Sequence, residues 1–208
     1  MNIYSKTLEA NDLTYTLDGK AVFQNVNFSV QEGQALILHG PNGSGKSTLL
    51  KIAAGFIPKG SYEGSISMTS LPIFGDRPLL QINPEVAYVG PNPLFNPELT
   101  ALENLNYWAF LNSQPKVEEQ VFQVFNITEF KDVPIKFLST GQQKRVSLSY
   151  LLINFKPIWL LDEPALGLDS SSLEILEAVL SAHLKSGGQA IVASHTNIKV
   201  KAQFLKLI

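Results

Sequence analysis

The run His39-Gly40-Pro41-Asn42-Gly43-Ser44-Gly45-Lys46-Ser47-Thr48 constrains the fold of this chain more than any other segment. Gly40 and Gly45, closed by Lys46 and Ser47, have the spacing of a Walker A loop, which sits between a strand and a helix. Ala35-Leu36-Ile37-Leu38 before it is short and apolar, as a buried strand is. Thr48 to Ala54 after it reads as a helix, with Gly55 placed to stop it. Phosphate chemistry explains the residue types. Glycines let successive N–H groups turn towards an anion without an obstructing Cβ. The helix that begins in the loop aims its positive end at the same point. Lys46 adds a full charge for β- and γ-phosphates, and Ser47 offers a hydroxyl to Mg²⁺. The whole stretch from Gly40 through Pro41, Asn42, Gly43, Ser44, Gly45, Lys46 and Ser47 to Thr48 is therefore predicted to cradle a nucleoside triphosphate.

At 208 residues the chain is long enough for one well-packed domain with a lobe inserted into it. Its 16 basic and 18 acidic side chains leave a net charge of −2, with no basic patch of the kind nucleic acid needs, so no nucleic-acid partner is expected. The absence of cysteine excludes disulfides, thiolate metal sites and cysteine catalysis, and suits a reducing cytosol. The first residues lack the apolar core of a signal peptide. No apolar run approaches the roughly 20 residues that cross a bilayer. Any membrane role therefore requires other chains.

Residues from Leu8 to about Val30 alternate like paired strands, with Asp18-Gly19 as the hairpin turn and Gln31-Glu32-Gly33 as a second turn. Ser65 to Thr69 is a short strand candidate, and the Pro-, Asn- and Gly-rich stretch from Leu71 to Pro97 reads as a surface connection. At Thr100 the pattern turns helical: Thr100-Ala101-Leu102-Glu103 is a capping box. Helical patterning continues to about Phe155, with breaks near 112–115 and 133–134. The last third reads strand, helix, strand, short helix, with one helix running from near Ser170 to Gly187-Gly188. Buried-type strands on both sides of the helical block predict one α/β unit with a P-loop core. An antiparallel β subdomain lies at its N-terminal end and a helical subdomain is inserted. On this division residues 1–90 and 156–208 form the core and about 91–155 the insertion.

Three further groups carry chemistry. Ile158-Trp159-Leu160-Leu161-Asp162-Glu163-Pro164 is a buried strand ending in two acids, as a Walker B site requires. Asp162 is expected to hold Mg²⁺ through a bound water or by way of Ser47, and Glu163 to polarise an attacking water. Leu138-Ser139-Thr140-Gly141-Gln142-Gln143-Lys144-Arg145 opens a helix whose hydroxyl and clear N-terminus suit another phosphate. His195 follows the apolar run Ala190 to Ser194; a lone histidine there is more often structural.

Taken together, the motifs GPNGSGKST, LSTGQQKR, WLLDEP, Ala165-Leu166-Gly167-Leu168-Asp169 and Ser194-His195 resemble the nucleotide-binding subunits of ABC transporters, in order and spacing, over essentially the whole chain. The resemblance implies a RecA-like P-loop NTPase fold, ATP with Mg²⁺, and hydrolysis coupled to integral membrane subunits at the inner, cytoplasmic face of the cell membrane. It also implies a head-to-tail dimer, in which each Walker loop faces the partner's signature helix. Ser139, Gly141 and Gln142 would then contact the γ-phosphate held by the partner. Asp169 would be the D-loop acid, His195 the switch histidine and Glu163 the catalytic base. Three positions depart from the pattern. Thr140 stands where a second glycine is usual. Asn92 is the nearest match to the glutamine that reaches Mg²⁺ and senses the membrane subunit. Leu17 aligns with the aromatic that stacks on adenine, and Tyr15 lies two residues earlier on the same strand face.

Within the family, Glu98-Leu99-Thr100-Ala101-Leu102-Glu103-Asn104-Leu105, the signature segment and the stretch from Leu176 to Gly188 resemble the ATPase subunit of cytochrome c maturation systems, traditionally called a haem exporter. Phe95, Tyr107 and Trp108 are then candidates for a groove that receives the membrane partner, with a core role for these aromatics as the alternative. Two other readings stand beside this one. A soluble ABC-type ATPase without a channel, as in iron–sulfur assembly, would share the same motifs. A module that binds ATP without hydrolysing it is disfavoured by the presence of Lys46, Asp162, Glu163 and His195.

Overall fold

The computed structural model describes residues 7–68, 85–92, 95–153 and 156–208. The Asp18–Gly19 turn forms as read. Both residues have positive φ (49° and 74°), joining β1 (Thr7–Leu17) to β2 (Lys20–Gln31) as an antiparallel hairpin. β4 (Glu63–Met68) pairs antiparallel on the other side of β1, giving a three-stranded sheet in the order β2-β1-β4. Of the expected strand from Ser65 to Thr69, Thr69 falls outside the described residues.

The second sheet is parallel throughout and has the order β5-β6-β7-β3-β8, built from β3 (Ala35–His39), β5 (Val86–Val89), β6 (Ile158–Asp162), β7 (Gln189–Ala193) and β8 (Ala202–Lys206). Its central strands are continuous apolar runs because both faces are covered. Successive side chains leave opposite faces of a strand. Ala35, Ile37, Trp159, Leu161, Ala190 and Val192 therefore pack on one side with α2 (Ala101–Leu111), α4 (Thr140–Ile153) and α5 (Ser170–Lys185). Leu36, Leu38, Ile158, Leu160, Ile191 and Ala193 face the other way, towards the antiparallel sheet and α1 (Lys46–Ala53). All helices between residues 101 and 153, including α3 (Glu119–Val124), lie in the chain between β5 and β6.

Two expectations fail here. The connection read from Leu71 to Pro97 contains β5, whose Val86, Ala87 and Val89 are buried beside β6; residues 69–84 and 93–94 of that stretch are outside the description. The short helix expected at the end of the chain is instead β8, paired to β3 from Ala35↔Ala202 to His39↔Lys206. Both strands are made by partners distant in sequence, and local pattern does not carry that information.

α2 begins as its sequence predicts. The Glu103 amide donates to Thr100 Oγ1 at 3.1 Å, and the Thr100 amide donates to Glu103 Oε2 at 2.8 Å. These hydrogen bonds, that from the Thr100 amide first, hold the Glu103 carboxyl below its usual range. A depressed folded-state value stabilises the fold above the ordinary value of 4.5 and loses that contribution as pH falls through the folded value. Thr100→Ala is expected to cost about 1 kcal/mol, a fall in Tm of roughly 2–4 °C for a chain of this size. The gap in thermal melts between wild type and variant should narrow on acidification below the ordinary carboxyl range.

Candidate functional site

The Gly40–Thr48 loop leaves β3 and enters α1 through glycines that no other residue replaces cheaply. Gly45 is the N-cap of α1 at φ 88°, and a Cβ there would lie 2.6 Å from Phe23 Cδ1 and 2.7 Å from Val22 Cγ1. A Cβ on Gly40 would lie 2.5 Å from both Ser44 Oγ and the Leu207 carbonyl oxygen. The loop is thus pinned between the hairpin and the last strand. Lys46, only 7% exposed, folds back over it and donates to the carbonyl oxygens of Gly40 at 2.8 Å and Pro41 at 2.9 Å. The first amides of α1 have no preceding helical carbonyl to bond, and Leu49, bonded to the Gly45 carbonyl, is the first whose amide does. Ser44 Oγ is buried with no hydrogen-bond partner among the described residues. Amides at a helix start without a helical partner, a buried lysine and a hydroxyl without a partner fit a polyphosphate.

β6 delivers its two acids to different places. Asp162, 1% exposed, accepts from Ser47 Oγ at 2.9 Å on Oδ1 and from the Tyr88 hydroxyl at 3.2 Å on Oδ2. The Ser47 hydroxyl and this carboxylate make an oxygen donor pair suited to a hard divalent cation. Among the described residues no group of three or more His, Cys, Asp or Glu side chains is placed to hold a metal ion by itself. The pair therefore fits Mg²⁺, which completes its shell with water and phosphate, rather than an all-protein metal cage.

Glu163 turns the chain out of the strand at φ 49°, a left-handed conformation unusual for glutamate. Its amide donates to the Ala193 carbonyl at 2.8 Å, tying it to the end of β7. The carboxylate meets His195 twice: the His195 amide donates to Oε2 at 3.3 Å, and Nε2 lies 3.6 Å from Oε1. The structure thus brings Glu163 and His195 together beside Asp162.

Ser139, Gly141, Gln142 and Asp169 gather elsewhere, around a recess of 210 Å³ that also includes Gly167. Ser139 Oγ accepts from the Gln142 amide at 3.3 Å, and Gln142 Oε1 accepts from the Ser139 amide at 2.9 Å, a second reciprocal cap. A Cβ on Gly141 would lie 2.8 Å from the Gly167 carbonyl oxygen, so the helix start can approach that turn only with glycine. Thr140 itself is the first residue of α4, so the helix forms with threonine at that position. Asp169 caps α5, accepting from the Ser172 amide at 2.7 Å and Ser171 Oγ at 2.9 Å. Those bonds lower its carboxyl value.

The remaining candidates are more scattered. Leu17 is exposed at the end of β1, whereas Tyr15 is half-buried with its ring 6.2 Å from that of Phe23, which in turn abuts Gly45. Asn92 is exposed at the lip of a 410 Å³ cleft whose lining includes Phe56, Tyr88, Phe95, Trp108 and Tyr150. Phe95 and Trp108 are part of that lining, and Phe95 also packs against the hydrophobic core; Tyr107 is exposed and is not part of the lining.

Two residues at the site escaped the sequence reading. Burial and the Asp162 carboxylate push the Tyr88 phenol well above its ordinary value, which keeps it a donor. Lys144 is buried and donates to the Glu163 carbonyl at 3.1 Å; burial lowers its ammonium below the usual lysine range, opposed by Asp162 and Glu163. Its signal was present: Lys144, Ser147, Leu148 and Leu151 form one buried helical stripe, with a lysine where an apolar residue belongs.

The profile of the ABC transporter family matches residues 23–166. The chain is 34% identical over 201 residues to the cytochrome c biogenesis ATP-binding export protein CcmA of Mesorhizobium japonicum, covering 96% of this chain and 97% of that one. It is 37% identical over 204 residues to the protein of the same name from Cupriavidus pinatubonensis, with coverages of 96% and 88%. Among solved structures, the ATP-binding cassette MJ0796, in a dimeric post-hydrolysis state bound to ADP and Pi, superimposes with a TM-score of 0.78 at 25% identity, covering 96% of this chain and 94% of that one. An ATP-binding subunit of an ABC transporter matches in fold with a TM-score of 0.80 at 24% identity, with coverages of 96% and 85%.

Gly45→Ala should cost about 2 kcal/mol from the left-handed backbone alone, with the contacts to Val22 and Phe23 adding to it. Denaturant unfolding measures the loss, and a wild-type midpoint would contradict the packing described for the loop.

Proposed function

This chain belongs to the ABC transporter family as an ATP-binding, ATP-hydrolysing subunit, and we propose that it energises a membrane complex of the cytochrome c biogenesis type. The observation that carries the nucleotide chemistry is the meeting of two pairs at the end of β6, Ser47 with Asp162 and Glu163 with His195, where Ser47 follows the buried Lys46 in the loop. Relatives named for cytochrome c biogenesis export match nearly the full chain, and they support this assignment over a channel-free ATPase.

In this reading the loop from Gly40 to Thr48 wraps the phosphates, and Lys46 exchanges its two loop carbonyls for β- and γ-phosphate oxygens. Mg²⁺, held by Ser47 and Asp162, would neutralise charge developing on the transferred phosphoryl group. Asn92 is a further candidate ligand from the cleft side. Glu163 accepts a proton from the attacking water, and His195, hydrogen-bonded through its amide, keeps the carboxylate aimed. Leu17 or Tyr15 would meet the adenine.

The recess formed by Ser139, Gly141, Gln142 and Asp169 shares no lining residue with the Gly40–Thr48 loop. Each chain thus carries two half-sites, and two copies placed head to tail would complete both. The segment 91–155 acts as the helical lobe, and the cleft it forms with residues of α1, the stretch after it and β5 receives the membrane subunits at the cytoplasmic face. No helix among the described residues is long and apolar enough to cross a membrane; the spanning part belongs to the partners.

Glu163→Gln should lower ATP turnover by on the order of 10²–10⁴ while leaving ATP binding intact and accumulating an ATP-bound dimer, readable by size exclusion. Undiminished hydrolysis removes Glu163 from the role of base. Lys46→Ala should weaken ATP binding itself in an equilibrium titration. Isolation of the native complex should recover integral membrane subunits; purely soluble partners would overturn the transport role.

A further inference from the structure

Tyr88 reaches the metal-holding acid from a strand that the motifs do not include. In the parallel pairing of β5 with β6, Tyr88 lies opposite Leu160, on the sheet face that also carries Asp162, two residues further along β6. Two residues of strand span roughly 6.6 Å, about the reach of a phenol. The hydroxyl donates to Asp162 Oδ2 at 3.2 Å, while Ser47 takes Oδ1 at 2.9 Å, so the two bonds fix both the tilt and the rotation of the carboxylate.

The surroundings keep the ring in that place. A Cβ on Gly90 would fall 2.9 Å from Tyr88 Cε1 and 3.1 Å from the hydroxyl oxygen, so the ring lies over a position that only glycine leaves free. Phe56 packs against it in a T-shaped pair, with centroids 5.2 Å apart and planes at 84°. The same ring is part of the wall of the 410 Å³ cleft, alongside Phe95 and Trp108.

We propose that Tyr88 is a positioning residue for Asp162: its hydroxyl sets the carboxylate for the metal, and its ring ties that setting to the wall of the cleft. This rests on the reading of Ser47 and Asp162 as the Mg²⁺–ATP site. Tyr88→Phe removes the hydroxyl and keeps the ring. Gly90→Ala keeps the hydroxyl and displaces the ring that carries it.

The test measures metal binding without turnover. The full chain, loaded with a non-hydrolysable ATP analogue, is titrated with Mn²⁺, and free Mn²⁺ is followed by electron paramagnetic resonance. Analogue affinity is measured separately in EDTA. In Tyr88→Phe, Mn²⁺ affinity should fall by roughly 10–100-fold, the usual cost of removing a hydrogen-bond partner of a metal ligand, with analogue affinity in EDTA unchanged. Gly90→Ala should shift Mn²⁺ affinity in the same direction. A wild-type Mn²⁺ affinity in Tyr88→Phe overturns the proposal whatever Gly90→Ala does, and so does an equal loss of metal-free analogue binding. Failure of the underlying site reading would appear in the wild type itself, as a protein that binds neither analogue nor Mn²⁺.

Discussion

A carboxylate taken out of water is costly unless hydrogen bonds replace the solvent, and Asp162 is all but sealed from solvent at the end of β6. Its two oxygens are satisfied from two directions: by Ser47 on the first turn of α1 and by Tyr88 on β5. One buried charge therefore joins the phosphate loop, the parallel sheet and the wall of the cleft. The arrangement depends on the strand's regular alternation. Leu160 and Ile158 pack towards α1, and Asp162 continues the same face to the point where apolar packing gives way to the loop.

Glu163 illustrates the opposite solution one residue later. Continuing the strand would send its side chain to the other face of the sheet, among the apolar residues beneath α4. The left-handed turn at Glu163, held by the Ala193 carbonyl, instead brings the carboxylate out against His195. A non-glycine residue in that conformation is strained, and such strain persists where the surrounding structure over-determines it. Lys144 adds to that constraint by donating to the Glu163 carbonyl from the buried stripe of α4. The acid that ends the strand and the acid that leaves it are thus separated by backbone geometry alone.

The sequence revealed most clearly what rests on local chemistry. Gly40 and Gly45 announced a loop whose packing tolerates no Cβ, Thr100 with Glu103 announced a reciprocal cap, and Asp18-Gly19 announced the hairpin. What stayed hidden depends on partners far along the chain. β5 is four residues long in a stretch rich in turn formers, and only its pairing with β6 makes it a strand. β8 carries Ala, Gln, Leu and Lys, all compatible with a helix, and owes its extended form to β3. Tyr88 was invisible for the same reason: its importance lies in Asp162, which the sheet brings near and the sequence keeps far. Thr140 is the reverse case, a departure from pattern at which α4 nevertheless begins.

The separation between the loop around Lys46 and the recess around Ser139 has a genetic corollary. Under the proposed head-to-tail pairing, a cell making one copy defective at Lys46 and another defective at Ser139 assembles some mixed pairs. In such a pair both lesions fall in the same composite site, and the opposite site is built from two sound halves. Two alleles that are each inactive alone would then complement one another within a single gene. Two alleles that both damage the loop would not, because every assembled pair would carry a broken cradle on each side.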